Sequence, residues 1–76
     1  MKFVVYGADW CVFCKKAKSL LEKYGIEYEY KNIDIMGNLN ELVSITGSRP
    51  KSIPLIFDEY EDLIGGYSDL LVYLDE

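Results

Sequence analysis

Cys11 and Cys14 are the only thiols in this chain of 76 residues, and they stand three positions apart. On a helix that spacing puts both sulfurs on one face, within bonding reach of each other. A short β-rich run from Lys2 to Tyr6 precedes them and a lysine-rich stretch follows. The pair therefore falls where a strand gives way to a helix start, and there the backbone N–H groups and the helix dipole favour an anion. The thiolate is the nucleophile of disulfide exchange, so this setting makes a reactive cysteine rather than an inert one. Cys11, nearer the helix start and the loop surface, is expected to be the nucleophile. Cys14, set deeper, is expected to resolve the mixed disulfide that Cys11 forms. Lys15 and Lys16 add positive potential, while Asp9 opposes it. Structural zinc takes four Cys or His ligands, and two Cys with no His fall short of that set. A metal would need a second chain or outside ligands.

The elements that must hold the pair follow from pattern. Lys2 to Tyr6 reads as a short buried strand, and Gly7 to Trp10 as a loop. A helix is predicted from about Cys11 to Tyr24, with Phe13, Ala17, Leu20, Leu21 and Tyr24 on its apolar face and Gly25 as its C-cap. Ile26 to Ile33 alternates as a second strand. Asn38 and Glu41 suggest a capping box opening a helix with Leu39, Leu42, Val43 and Ile45 inward, ended by Gly47. Pro54 to Phe57 and Asp62 to Ile64 read as strands, and Tyr67 to Leu74 as a closing helix with Leu70, Leu71 and Leu74 inward. The order β-α-β-α-β-β-α implies an α/β fold with a mixed four-stranded sheet and three helices. Its first βαβ is parallel and its last two strands form a hairpin. The Cys pair then lies at the carboxyl end of the first strand, where open α/β sheets bind ligands.

Composition narrows the function classes. The chain has 13 acidic and 8 basic side chains, for a net charge of −5, which argues against nucleic-acid binding. The positive charge is uneven: Lys15, Lys16, Lys18 and Lys23 follow the cysteines, and Arg49 and Lys51 form a second small group. No apolar run reaches the ~18 residues of a membrane span, and the first residues do not read as a secretory signal. Residues 1–76 are expected to form one domain, a monomer in a reducing cytoplasm, where a Cys pair serves catalysis or metal more often than structure.

Three segments, Trp10-Cys11-Val12-Phe13-Cys14, Ser52-Ile53-Pro54 and Ile64-Gly65-Gly66-Tyr67-Ser68-Asp69, together resemble the glutaredoxins, the glutathione-linked branch of the thioredoxin fold. Val12-Phe13 between the cysteines is most similar to the small phage-type dithiol members. Many relatives have Pro-Tyr there, and Ala8 stands where a lysine is common. The resemblance implies catalytic Cys11 and Cys14 and a cis peptide before Pro54 facing them. It also implies a glutathione groove built from Phe13, Ile53, Pro54, Gly66, Ser68 and Asp69. In that groove the Ile53 backbone would pair with the cysteinyl part of glutathione. Ser68 would take the γ-glutamyl carboxylate and Asp69 its ammonium, although both residues also suit a plain helix cap. Trp10 would shield the sulfurs and offer an apolar docking patch. No bound cofactor is implied, with glutathione acting as co-substrate. Protein disulfides are the implied partners, ribonucleotide reductase among them. Two other classes stay open: a thioredoxin-like donor reduced by a flavoprotein reductase, and a non-enzymatic 2Fe–2S carrier.

Overall fold

Phe3, Val4, Val5 and Tyr6 are apolar on both faces, and a strand of that kind belongs in the middle of a covered sheet. In the computed structural model, which describes residues 2–75, this strand (β1, Phe3–Gly7) lies between two neighbours. It pairs in parallel with β2 (Tyr28–Asn32) and antiparallel with β3 (Leu55–Phe57). β3 in turn pairs antiparallel with the edge strand β4 (Leu63–Gly65), giving the order β2-β1-β3-β4. Three helices cover the sheet: α1 (Val12–Lys23), α2 (Met36–Thr46) and α3 (Tyr67–Asp75). The expected β-α-β-α-β-β-α order and mixed sheet are therefore present.

Alternation along the strands sorts the core into two layers. Phe3 and Val5 pack with Ala17, Leu21, Ile56 and Leu70 under α1 and α3. Tyr6 packs with Leu42 and Phe57 under α2. In α1 the buried residues are Cys14, Ala17 and Leu21, one row along the helix. Phe13 and Tyr24, expected on that face, are exposed: Phe13 precedes the first buried turn, and Tyr24 is already the C-cap. Gly25 follows with a left-handed φ of 69°. Ile45 and Leu71 are likewise exposed, because one residue, Leu42 or Leu70, fills the buried position of each short helix.

The opening of α2 differs from expectation. The helix begins at Met36 with Ile35 as an N-cap that makes no side-chain hydrogen bond. Asn38 instead donates to the Asn32 carbonyl (3.0 Å), and Asn32 Oδ1 accepts from the Asp34 N–H (2.8 Å), so the asparagines close the preceding loop. Glu41 is drawn to the sheet, where its Oε1 accepts from the Tyr6 hydroxyl (2.9 Å) and from Lys31 Nζ. Those two donors outcompete the backbone because they are charged or buried.

Burial keeps four groups of this interior in their protonated form. Burial, aided by Glu22, pushes the Tyr28 phenol from 10.0 to about 12. Burial, aided by the neighbouring Cys14 and Asp9, takes Tyr30 to about 12 as well, and burial beside Glu41 carries Tyr6 further up. Burial raises the Cys14 thiol from 9.0 to about 12. Each folded-state value lies above its unfolded one, so the folded protein holds these protons more tightly. Their contribution is whole below the ordinary values and is lost as pH climbs through 9.0 and 10.0 toward about 12. Denaturant midpoints should therefore fall steadily over that alkaline window, with phenolate absorbance rising as structure is lost. A denaturant midpoint that stays level across that window would contradict this assignment.

Candidate active site

The chain leaves β1 at Gly7 and makes a tight turn in which the Cys11 N–H donates to the Ala8 carbonyl at 3.1 Å. That turn sets Cys11 as the N-cap of α1 in an extended conformation (φ −91°, ψ 115°). Its sulfur does what a Ser or Asp oxygen does at other helix starts. Cys11 Sγ accepts the Cys14 N–H at 3.2 Å, satisfying one of the orphan donors of the first turn. Both thiols are free. Cys11 retains 8% exposure, whereas Cys14 is fully enclosed. The expectation that Cys11 is the more accessible sulfur therefore holds in order, but Cys11 is more buried than a surface loop position suggests.

Division of labour follows from the environment of Cys14. Desolvation by burial, with a smaller effect of its hydrogen bond to Cys11, lifts its thiol to about 12. Cys14 thus stays protonated while Cys11 sits on a free amide at a helix start. The Cys11 thiol also donates to the Ile53 carbonyl across the site at 3.7 Å. Ile53 and Pro54 are joined by a cis peptide bond, as the glutaredoxin resemblance implies.

Two clefts flank this point. One, of about 220 Å³, is lined by Phe13, Ile53, Pro54, Gly66, Ser68 and Asp69, so every residue expected in the groove beside the thiols does converge on one place. The other, of about 350 Å³, brings Cys11 together with Trp10, Lys51 and Ile53. Ser52 and Ile53 are the wall they share. Trp10 is 68% exposed, with its indole N–H on Asp34 Oδ2 at 3.0 Å. It does not cover the sulfurs; it presents an apolar face beside them. Lys51 reaches that cleft, and Arg49 lines neither.

The two glycines before α3 have separate causes. Gly65 has φ +125°, and a β-carbon there would meet Asp69 Cγ at 2.7 Å, so the protein itself requires it. A β-carbon on Gly66 would meet only the Pro54 carbonyl at an ordinary 3.6 Å, which leaves Gly66 open toward the cleft. Asp69 Oδ2 accepts the Gly66 N–H at 2.9 Å, the capping role that its position also suggested. Its carboxylate stays exposed and able to meet a cation.

Three residues of the site carry no assigned role in the sequence. The Tyr67 ring packs on Phe13 at 5.8 Å between centroids, with Lys16 Nζ on the Phe13 face at 5.3 Å, making an aromatic side wall. Asp34 anchors Trp10. Tyr30 packs against the Ala8, Cys11 and Cys14 cluster from below. Strand alternation was the available signal for Tyr30, since it sets Tyr28 and Tyr30 on the α1 side of β2. Among the described residues no group of three or more Cys, His, Asp or Glu could hold a metal ion. None of the helices is long and apolar enough to cross a membrane.

Comparison with known proteins points the same way. The family model described as glutaredoxin matches residues 3–60. The chain is 30% identical to glutaredoxin 1 of Escherichia coli over 82 aligned positions, covering 100% of this chain and 95% of that one. The solution structure of reduced Escherichia coli glutaredoxin superposes with a TM-score of 0.77 at 30% identity, covering 99% of this chain and 94% of that one. A buckwheat glutaredoxin–glutathione complex shares the fold (TM-score 0.76, 23% identity), covering 96% of this chain and 67% of that one.

Proposed function

This chain belongs to the glutaredoxin family, and from that premise we propose that it is a glutathione-dependent dithiol oxidoreductase that reduces protein disulfides and glutathione mixed disulfides. That it is a thiol–disulfide oxidoreductase follows from the family. What supports the dithiol route is the contrast between the two sulfurs: Cys11 accessible on a helix-start amide, Cys14 enclosed and held protonated. The Cys11 thiolate attacks one sulfur of the substrate disulfide, forming a mixed disulfide and releasing the other sulfur as a thiolate. Cys14, or a second glutathione, then attacks that mixed disulfide. Glutathione returns the electrons.

The groove of Phe13, Ile53, Pro54, Gly66, Ser68 and Asp69 supports glutathione as the small partner. Ile53 lines this groove, and its backbone suits strand-like pairing with an extended peptide, while the start of α3 suits a carboxylate. A relative of the same fold forms a complex with glutathione. Disulfide-bearing proteins would dock on the Trp10 side, ribonucleotide reductase among them. We assign the protein, as a monomeric single domain over residues 1–76, to the cytoplasm.

Reduction of a small glutathione mixed disulfide, driven by glutathione, glutathione reductase and NADPH, tests this. Steady turnover with that system is the expected result. Turnover only with a thioredoxin-type flavoprotein reductase would overturn the glutathione assignment and leave a thioredoxin-like donor.

A further inference from the structure

Tyr30 carries a buried hydroxyl with no hydrogen-bond partner. Such a group costs stability, and its presence calls for a cause. Its surroundings supply one. A β-carbon placed on Gly7 would lie 2.6 Å from Cys14 Sγ and 2.9 Å from Tyr30 Oη, so sulfur and hydroxyl crowd the same small space beside that glycine. The ring is fixed there by packing on the Cys11–Cys14 cluster and by Lys18 Nζ, 4.1 Å over its centroid. A neutral thiol is a weak acceptor, which leaves the hydroxyl unpaired in the reduced protein. A thiolate is a strong one.

We propose that the Tyr30 hydroxyl is the hydrogen-bond donor that receives the Cys14 thiolate in the resolving step. The inference rests on the dithiol reading above. Cys14 gives up a proton, and its sulfur attacks Cys11 Sγ of the Cys11–S–S–R mixed disulfide. The Cys11–R sulfur bond breaks as the Cys11–Cys14 bond forms. R leaves as a thiolate and takes up a proton, so the cysteine pair is oxidised and R reduced. Tyr30 keeps its own proton throughout. Because its bond exists only when Cys14 is charged, it lowers the barrier rather than stabilising the resting state. The nearness of the hydroxyl already works against the rise that burial imposes on Cys14. The charged and titratable groups facing Tyr30 are Cys11 and Cys14 of α1, Lys18 over the ring and Asp9 of the loop.

Tyr30→Phe removes only the oxygen. The reduced protein is mixed in single turnover with a symmetrical aromatic disulfide whose thiolates are coloured. The first thiolate released reports attack by Cys11, and the second reports resolution by Cys14. In Tyr30→Phe the second phase should slow about tenfold, as expected for losing a hydrogen bond to a charged acceptor, while the first phase is unchanged. The thermal midpoint should hold or rise, since an unpaired buried group has gone. An unchanged second phase would overturn the proposal. So would equal slowing of both phases with a lower midpoint, which marks a merely structural role. If the parent protein shows no first phase, the thiol–disulfide reading fails, and this inference with it.

Discussion

Cys11→Ser is expected to reduce every exchange activity to the uncatalysed background, whereas Cys14→Ser keeps turnover of glutathione mixed disulfides and loses reduction of protein disulfides by the dithiol route. The asymmetry comes from position. Cys11 is the sulfur with solvent access and the one seated on a helix-start amide, at 3.2 Å from the Cys14 N–H. Cys14 is enclosed, and its thiol is lifted to about 12 by burial, so it holds almost no thiolate at neutral pH until a mixed disulfide is presented to it. Serine at position 11 still fits the N-cap, because a hydroxyl oxygen accepts the same amide. Loss of activity in Cys11→Ser would then come without loss of fold, and a thermal scan beside the assay separates the two. In Cys14→Ser a second glutathione replaces the missing thiol, but a docked protein substrate leaves no comparable route. Comparable activity of Cys11→Ser and Cys14→Ser would overturn the assignment of separate jobs.

Gly7→Ala should damage both stability and chemistry. Strand alternation turns position 7 toward α1, as it does Phe3 and Val5. There a methyl group would stand 2.6 Å from Cys14 Sγ and 2.9 Å from the Tyr30 hydroxyl. Neither neighbour is a free side-chain end. Cys14 is fully buried in the first turn of α1, and Tyr30 is pinned between Lys18 and the cysteine cluster. Overpacking of this kind costs roughly 1–3 kcal/mol, and for a domain of this size each kcal/mol lowers the midpoint by about 4–8 °C. The resolving step should slow as well, since relief of the clash must move the sulfur or the hydroxyl. A thermal midpoint together with the two-phase exchange assay reads both effects. An unchanged midpoint would show that α1 moves off the sheet freely at this point, contrary to the packing described.

Element types and order were legible because their signals are local. Four apolar residues in a row at Phe3–Tyr6, glycines after the first two helices and a helical row at Cys14, Ala17 and Leu21 each carry their own physical cause. The start of α2 was not. Asn38 and Glu41 have the spacing of a capping box, yet their partners, the Asn32 backbone, Tyr6 and Lys31, belong to the sheet and become neighbours only on folding. Tertiary hydrogen bonds outweighed a local one. The groove residues converged as the family resemblance implied, but Phe13, read from periodicity as a core residue, lies 54% exposed beside Tyr67. The role of Gly7 was hidden for the same reason as that of Tyr30. Alternation gives the face each residue takes, but not that Gly7, Cys14 and Tyr30 meet at one point across neighbouring elements.

Mass spectrometry of the two single variants after mixing with oxidised glutathione at neutral pH tests the central claim, that one accessible sulfur starts the chemistry, most directly. Cys14→Ser should gain one glutathione, on Cys11, and release it when reduced glutathione is added in excess. Cys11→Ser should gain none, since its remaining sulfur is enclosed and protonated. A glutathione adduct on Cys14 that forms as fast as the one on Cys11 would contradict the account.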